Sequence, residues 1–476
     1  GSCLNMTQMD CEDAMGFFQG NGTDCSTSSC PVLVGACCFN DGTCEELTES
    51  DCLAQGGSFL GTGTDCSGAD CPVVLEKYVD ALPLPPAAQP VGTTPEGYPL
   101  YHIDIVQTTH NTHRDLPPTT VWAYNGVWPG PSFVVQSGQP IAVEYFNDLR
   151  DEMGNPRVDH LLPVDLCAHG AENLAKTVTH LHGGHVPADV DGYPEDTFLP
   201  GSGVTYVYPN NQRAGLSWYH DHALGITRLN VLMGLAGGYI IRDAEEAALG
   251  LPSGEYEVPL VIQDRTFNAD GSFDYPAEWV EHFFGDTFCV NGKAWPFHQV
   301  KQGAYRLRII NGCSSRTLTL AFGNPPIPFD LIGVEGGLLG APATLTEITL
   351  SPAERADIIV DFSSLAPGAE VLLFNSAPAP YPNGNPMHAL PEVMKFVVAG
   401  QPGAAFVTPP TLSTIVPLNP SHAMMSRDFT LAKAQDPCAG SIWLINGMHW
   451  DHITDRPRLN SIETWRFLNS SGVTHP

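Results

Sequence analysis

The sequence predicts an all-β protein: tandem Greek-key β-sandwiches preceded by small disulfide-rich repeats. Three observations carry that prediction. From residue 100 onward apolar residues recur at period two, with turn residues between the runs. Glycine (47) and proline (42) are abundant and charged residues make up only 15%, while helical periodicity is sparse. Ten of the 14 cysteines lie before residue 72. At ~100–200 residues per domain, 476 residues correspond to about three domains.

The net charge of -31 argues against nucleic acid and anionic membrane surfaces as partners, and fits the solubilising surface of a secreted protein. No segment reaches the ~20 apolar residues needed to span a bilayer. The longest apolar run, Leu229 to Ile241, is bounded by Arg228 and Arg242 and reads as a buried strand and turn. No signal peptide is visible, but the chain starts at Gly1, so this says nothing about export.

The N-terminal cysteines repeat at an offset of 41. Cys3, Cys11, Cys25 and Cys30 map onto Cys44, Cys52, Cys66 and Cys71, and Gly20–Ser26 maps onto Gly61–Ser67. The second copy opens with Cys37-Cys38, which the first lacks, so the chain is expected to begin inside a repeat. A complete unit holds six cysteines, hence three disulfides of unreadable connectivity. With no histidine among them and no zinc-type Cys-X2-Cys pairs, disulfides are favoured over metal binding, and they imply an oxidising compartment. No Lys or Arg precedes Lys77, so this is an acidic, stapled module suited to a spacer or adhesion role. It resembles short Cys-rich repeats of bacterial surface proteins, which implies cell-surface or matrix association. The expected divisions are a partial repeat (1–34), a repeat (35–76), a Pro-rich lead-in (77–98), two segments each long enough for a sandwich (99–247 and 248–400) and a third too short for one (401–476).

Half-buried strands are predicted around Tyr101, Ile103 and Ile105, around Phe133 and Val135, around Ile141, Val143 and Tyr145, around Leu307 and Ile309, and around Ile358 and Val360. Asp243 to Leu249 is expected to form a short helix.

Two His-X-His pairs, His180-Leu181-His182 and His220-Asp221-His222, lie in strand-like contexts. On a strand, residues i and i+2 share a face ~6.5–7 Å apart. Two such strands side by side aim four imidazoles at one small volume, which suits copper, zinc, iron or nickel. The remaining histidines, including His185 just after the first pair, have no ligand spacing.

Both pairs in this order, with Trp218-Tyr219 before the second and Gly234-Leu235-Ala236-Gly237-Gly238 after it, resemble the multicopper oxidases. Tyr124–Pro131, Val290–Pro296, Tyr305–Gly312 and Ser351–Asp357 are similar to further family motifs. The His-Leu-His-Gly-Gly form and His113–Pro118 resemble the branch of spore-coat laccases, bilirubin oxidases and phenoxazinone synthase. The resemblance runs from residue 77 to the end. It implies tandem cupredoxin-like sandwiches and a laccase-like enzyme coupling one-electron oxidation of phenols, aminophenols or bilirubin-like pigments to four-electron reduction of dioxygen to water. It implies copper of types 1, 2 and 3, with His180 on the type 2 ion and His182, His220 and His222 on the type 3 pair. Asp191 stands where the branch places a carboxylate near the cluster, as a proton relay or simply as a turn residue before Gly192.

Residues Glu463 to Pro476 resemble the approach to the family's His-Pro-X-His-X-His motif, which makes His475 a type 1 copper ligand. The remaining ligands would lie beyond Pro476. The chain is therefore expected to be cut at both ends, and this piece alone to be inactive. Of Cys167, Cys289, Cys313 and Cys438, none precedes a His in a blue-copper pattern; one disulfide among the first three, or buried free thiols, are the open alternatives. Competing functional readings are a non-catalytic surface protein with cupredoxin domains, a cuprous-ion oxidase, disfavoured by the scattered methionines, and a copper nitrite reductase, disfavoured by the paired motifs.

Overall fold

The computed structural model describes residues 4–13, 18, 20–26, 33–40, 42–67, 69, 71, 73–385 and 388–475. Gly1–Glu76 and Lys77–Pro476 form two compact units.

In the first unit, Gly35–Cys38 is the central strand of a small antiparallel sheet, flanked by Cys44–Leu47 and Ser58–Phe59. The helix Glu49–Ala54 starts at Thr48, whose hydroxyl accepts the Asp51 N–H at 3.1 Å. Consecutive strand residues point to opposite faces. Cys37 accordingly bonds Cys52 on the helix, while Cys38 bonds Cys71; Cys44 bonds Cys66. Gly57 is obligatory beside the first of these, since a Cβ there would lie 2.3 Å from the Cys37 sulfur. A unit this small buries little apolar surface, so the crosslinks supply the stability a larger core would provide.

The second unit is built from packed β-sheets. One five-stranded sheet contains Pro99–His110 between Ile141–Asn147 and Gly92–Thr93. Facing it is a four-stranded sheet of β1 (Gly130–Gln136), β2 (Thr179–His182), β3 (Gly215–Asp221) and β4 (Ala236–Arg242), in the order β1-β4-β3-β2. The predicted alternation holds: Ile103, Ile105, Val143 and Tyr145 are buried from one sheet, and Phe133, Tyr219 and Tyr239 from the other. Tyr219 meets Phe133 and Tyr124 with ring centres 5.2 and 4.9 Å apart. The Leu229–Ile241 run is only partly strand. Its first half lies in a helix, α1 (Thr227–Met233), which buries Leu229, Asn230, Leu232 and Met233 and ends at Gly234 with φ +124°. A short apolar run does not distinguish buried helix from buried strand by periodicity. Asp243 caps the expected short helix, Ala244–Ala248.

Residues 257–402 form a seven-stranded and a five-stranded sheet. Here the half-buried expectation is corrected. Ala304–Asn311 is buried on both faces, and so is most of β5 (Arg355–Asp361). The face expected to meet solvent carries Arg306, Arg308 and Asp357, sealed into a charge network. Arg306 lies 2.6 Å from Asp357 and 2.7 Å from Glu246; Arg308 lies 2.8 Å from Glu246; Arg242 lies 2.6 Å from Glu257. Three arginines balance three carboxylates, and Arg242 and Glu246 belong to segment 99–247. The network therefore joins the first two segments.

Residues Met425–Asp436 pair with Gly440–Ile445 and Glu463–Asn469 in a three-stranded sheet. Cys438, beside this sheet, is disulfide-bonded to Cys167, so the fourth cysteine supplies a partner that the sequence reading did not pair with Cys167. Cys289 and Cys313 are buried free thiols. Among the described residues no helix is long and apolar enough to cross a membrane.

Removing one member of a buried charge network leaves its partners uncompensated. Glu246→Gln is expected to cost about 3–5 kcal/mol of unfolding free energy, read by chemical denaturation. A loss within about 0.5 kcal/mol, the range of ordinary surface substitutions, would show that the network contributes nothing net.

Candidate metal centre

The two His-X-His pairs lie on neighbouring strands in direct register. In the β2–β3 ladder His180 faces His220, and His182 faces Trp218. Period two then puts His180, His182 and His220 on one face, with His222 one residue past the end of β3. The ring centre of His180 is 5.5 Å from that of His182, 5.5 Å from that of His220 and 5.0 Å from that of His222. One nitrogen from each of His180, His182 and His220 falls within a 4.8 Å span. Trp218 is a shelf beneath them, 4.3 Å from the His220 ring and 5.5 Å from the His182 ring.

Hydrogen bonds select the tautomers. His180 Nδ1–H donates to the Asp191 carbonyl at 2.6 Å, and His220 Nδ1–H donates to the Asp221 carbonyl at 2.7 Å. Each therefore turns an Nε2 lone pair toward the shared space. His182 Nδ1 lies 3.1 Å from His220 Nε2. His222 Nδ1 is buried with no hydrogen-bond partner. Burial lowers the pKa of His182 to about 3, assisted by the Arg355 charge, and holds His220 and His222 below the ordinary imidazole value. Neutral imidazoles with converging lone pairs and an orphaned buried nitrogen fit a bound metal ion.

The opposite face of the same strands holds a residue that sequence reasoning missed. Asp221, between the second pair, is fully buried. Its carboxylate accepts the Val178 N–H and the Ala223 N–H, both at 2.9 Å, and the Asn230 amide at 2.7 Å. Burial pushes its pKa up to about 7 despite those donors. The available signal was positional: the middle residue of His-X-His on a strand must face away from the metal.

Asp191 lies beside His180. Its carboxylate oxygen is 3.4 Å from His180 Nδ1 and its side chain is 45% exposed. Gly192 follows with φ +76°, where a Cβ would lie 2.1 Å from the Thr179 carbonyl oxygen. His185 is exposed, and its backbone N–H donates to the Gln212 side-chain oxygen at 2.7 Å. His475 is far along the chain, in ring contact with Trp443 at 4.0 Å.

The sequence-family description "Multicopper oxidase" matches residues 105–154 and 172–246, a range that contains both pairs. A laccase of Bacillus stratosphericus is 39% identical over 434 residues, covering 84% of this chain and 82% of the relative. The chain belongs to the multicopper oxidases. A laccase of Haloferax volcanii is 35% identical, covering 84% of the chain and 73% of the relative. The multicopper oxidase McoA from Aquifex aeolicus superposes with a TM-score of 0.67 at 27% identity, covering 84% of each chain. A laccase from Pediococcus acidilactici gives 0.67 at 26% identity, covering 83% and 78%. As a multicopper oxidase this is an oxidoreductase with copper as cofactor and dioxygen as electron acceptor.

The histidine shifts give the metal-free oxidase a pH dependence. Unfolded imidazoles titrate near ~6.5, above the folded values of His182, His220 and His222. Below that pH the unfolded state binds more protons, so stability falls as pH drops toward the folded pKa of His182, about 3. Asp221 acts oppositely between its unfolded value and about 7, but it is one group against three. The denaturation midpoint of the metal-free protein is expected to fall from pH 7 to pH 4, and less steeply in His220→Gln. Equal slopes in the two proteins would contradict this.

Proposed function

We propose that the full-length protein is a laccase-like oxidase that takes single electrons from phenolic, aminophenolic or bilirubin-like donors. The observation that carries this reading is the convergence of His180, His182 and His220 on one face of β2 and β3, with the His222 ring 5.0 Å from that of His180. These four would hold copper, which when bound would supply the one-electron redox chemistry. Reduction of one dioxygen to two waters consumes four electrons and four protons. In this reading Asp191 passes protons inward from solvent, supported by its half-exposed side chain 3.4 Å from His180 Nδ1.

Donor entry belongs near His475, the type 1 copper ligand in this reading. A cleft of about 460 Å³ is lined by Asp274, Glu281, His282, Phe283, Phe284 and His388. The His282 and Phe284 rings are 5.8 Å apart and stacked. Glu281 and His282 both act electrostatically on His475, and Lys433 pairs with Glu281. Aromatic walls with a few polar groups suit a planar aromatic donor. The disulfides of the first unit and Cys167–Cys438 favour a secreted or surface location, with the Cys-rich repeats as a spacer or attachment element.

Copper analysis with oxygen uptake on the full-length protein tests the reading. Copper-loaded protein inert to every phenolic and aminophenolic donor would sink it. Asp191→Asn keeps the carbonyl that orients His180 but removes the proton carrier. It is expected to lower kcat about 10²-fold with copper content unchanged; wild-type turnover would reduce Asp191 to a turn residue.

A further inference from the structure

Arg355 opens β5 in the second segment and is 3% exposed. Its guanidinium makes no ion pair among the described residues. Nε donates to the Leu216 carbonyl at 3.3 Å and Nη1 to the Ala353 carbonyl at 2.8 Å. Leu216 lies on β3, two residues before Trp218, the register partner of His182. The other end of the guanidinium abuts the turn after β2: a Cβ on Gly183 would lie 2.7 Å from Nη2. Gly183, with φ +85°, directly follows His182, and its carbonyl is held by the Gln212 amide at 3.0 Å. Arg355 thus spans the edge where the two histidine strands meet.

Its mount is stiff. Ala353 has φ +71°, a left-handed conformation that costs a residue with a Cβ roughly 1–2 kcal/mol. The turn is held there by Ala353 N–H to the Asn311 carbonyl at 2.8 Å and by Ser351 N–H to the Glu354 carboxylate at 2.6 Å. Ala353 also packs on the buried cluster of Leu216, Trp218, Ala236, Ile240, Val261 and Ile310. Burial disfavours this cation, and the Glu335 and Glu354 carboxylates offset it only from beyond ion-pair distance, so an apolar side chain of that size would fill the space more cheaply. Strained backbone of this kind clusters at functional sites.

We propose that Arg355 is a positioning residue for the copper cluster: mounted on the Ser351–Arg355 turn, it clamps the Gly183 turn against β3 and so fixes His182. The second segment thereby shapes a site whose histidine pairs both come from the first. The proposal rests on the reading of His182 as a copper ligand.

The test measures copper stoichiometry, cupric affinity by chelator competition and the EPR spectrum of bound copper in the full-length protein. Arg355→Ala is expected to weaken cluster copper binding about 10–100-fold, the usual cost of losing a group that orients a metal ligand, and to alter the EPR spectrum. Arg355→Lys, with charge but no fork, is expected to restore part of the affinity. Arg355→Met, which keeps the volume but removes the donors and charge, is expected to act like Arg355→Ala and serves if that variant does not fold. Wild-type affinity and spectrum in Arg355→Ala and Arg355→Met, with only thermal stability changed, would make Arg355 a structural brace and overturn the proposal. His182→Ala separates the two readings: if it keeps full copper occupancy, the assignment of His182 as a ligand is what fails.

Discussion

A single buried carboxylate ties the two histidine pairs together from behind. Asp221 sits back-to-back with the imidazoles, and its three acceptor contacts tie down the chain just before the first histidine pair (Val178), just after the second (Ala223) and on the following helix (Asn230). Asn230 extends the tie to the Lys176 carbonyl and to His160, both at 3.0 Å, and His160 packs on Trp122 with ring centres 4.4 Å apart. The register that puts His220 opposite His180 is therefore specified from behind the sheet. A one-residue slip would turn every imidazole to the wrong face and leave this carboxylate buried without donors.

The centre also draws on the rest of the unit. The six-charge network fastens the second segment to the first through Glu246 and Arg242, and Arg355 reaches from the second segment to the edge of the histidine strands. Cys167–Cys438 brings the third segment to the first, and Tyr193 meets Trp450 with ring centres 5.9 Å apart. The Arg306–Glu246 pair is buried and the disulfide is covalent, and both join residues far apart in sequence. Such links hold ligands in place more firmly than loops do, which matters because metal binding needs geometry to be set before the ion arrives.

Much of the site was legible in the sequence because a strand's period of two is rigid. His-X-His on a strand has one geometric meaning, and His180, His182 and His220 lie as that spacing required. The misreadings share a cause. Arg306, Arg308 and Asp357 alternate with apolar residues as a solvent face would, and local pattern does not distinguish water from a buried counter-charge. The run from Leu229 to Ile241 is apolar but for Asn230, so its split into helix and strand was set by the packing of α1 under β3 and by Gly234.

The sequence by itself determined the all-β architecture, the disulfide-dense first unit, the two histidine pairs and the kind of metal they suit. These follow from residue spacing and side-chain chemistry, which are local. The tertiary structure decided which nitrogens converge, that Asp221 locks them from behind, that Cys167 pairs with Cys438, and that Arg355 arrives beside His182 from more than 170 positions away. Those contacts depend on how separate sheets dock, and docking is fixed by buried surfaces whose partners no local pattern names.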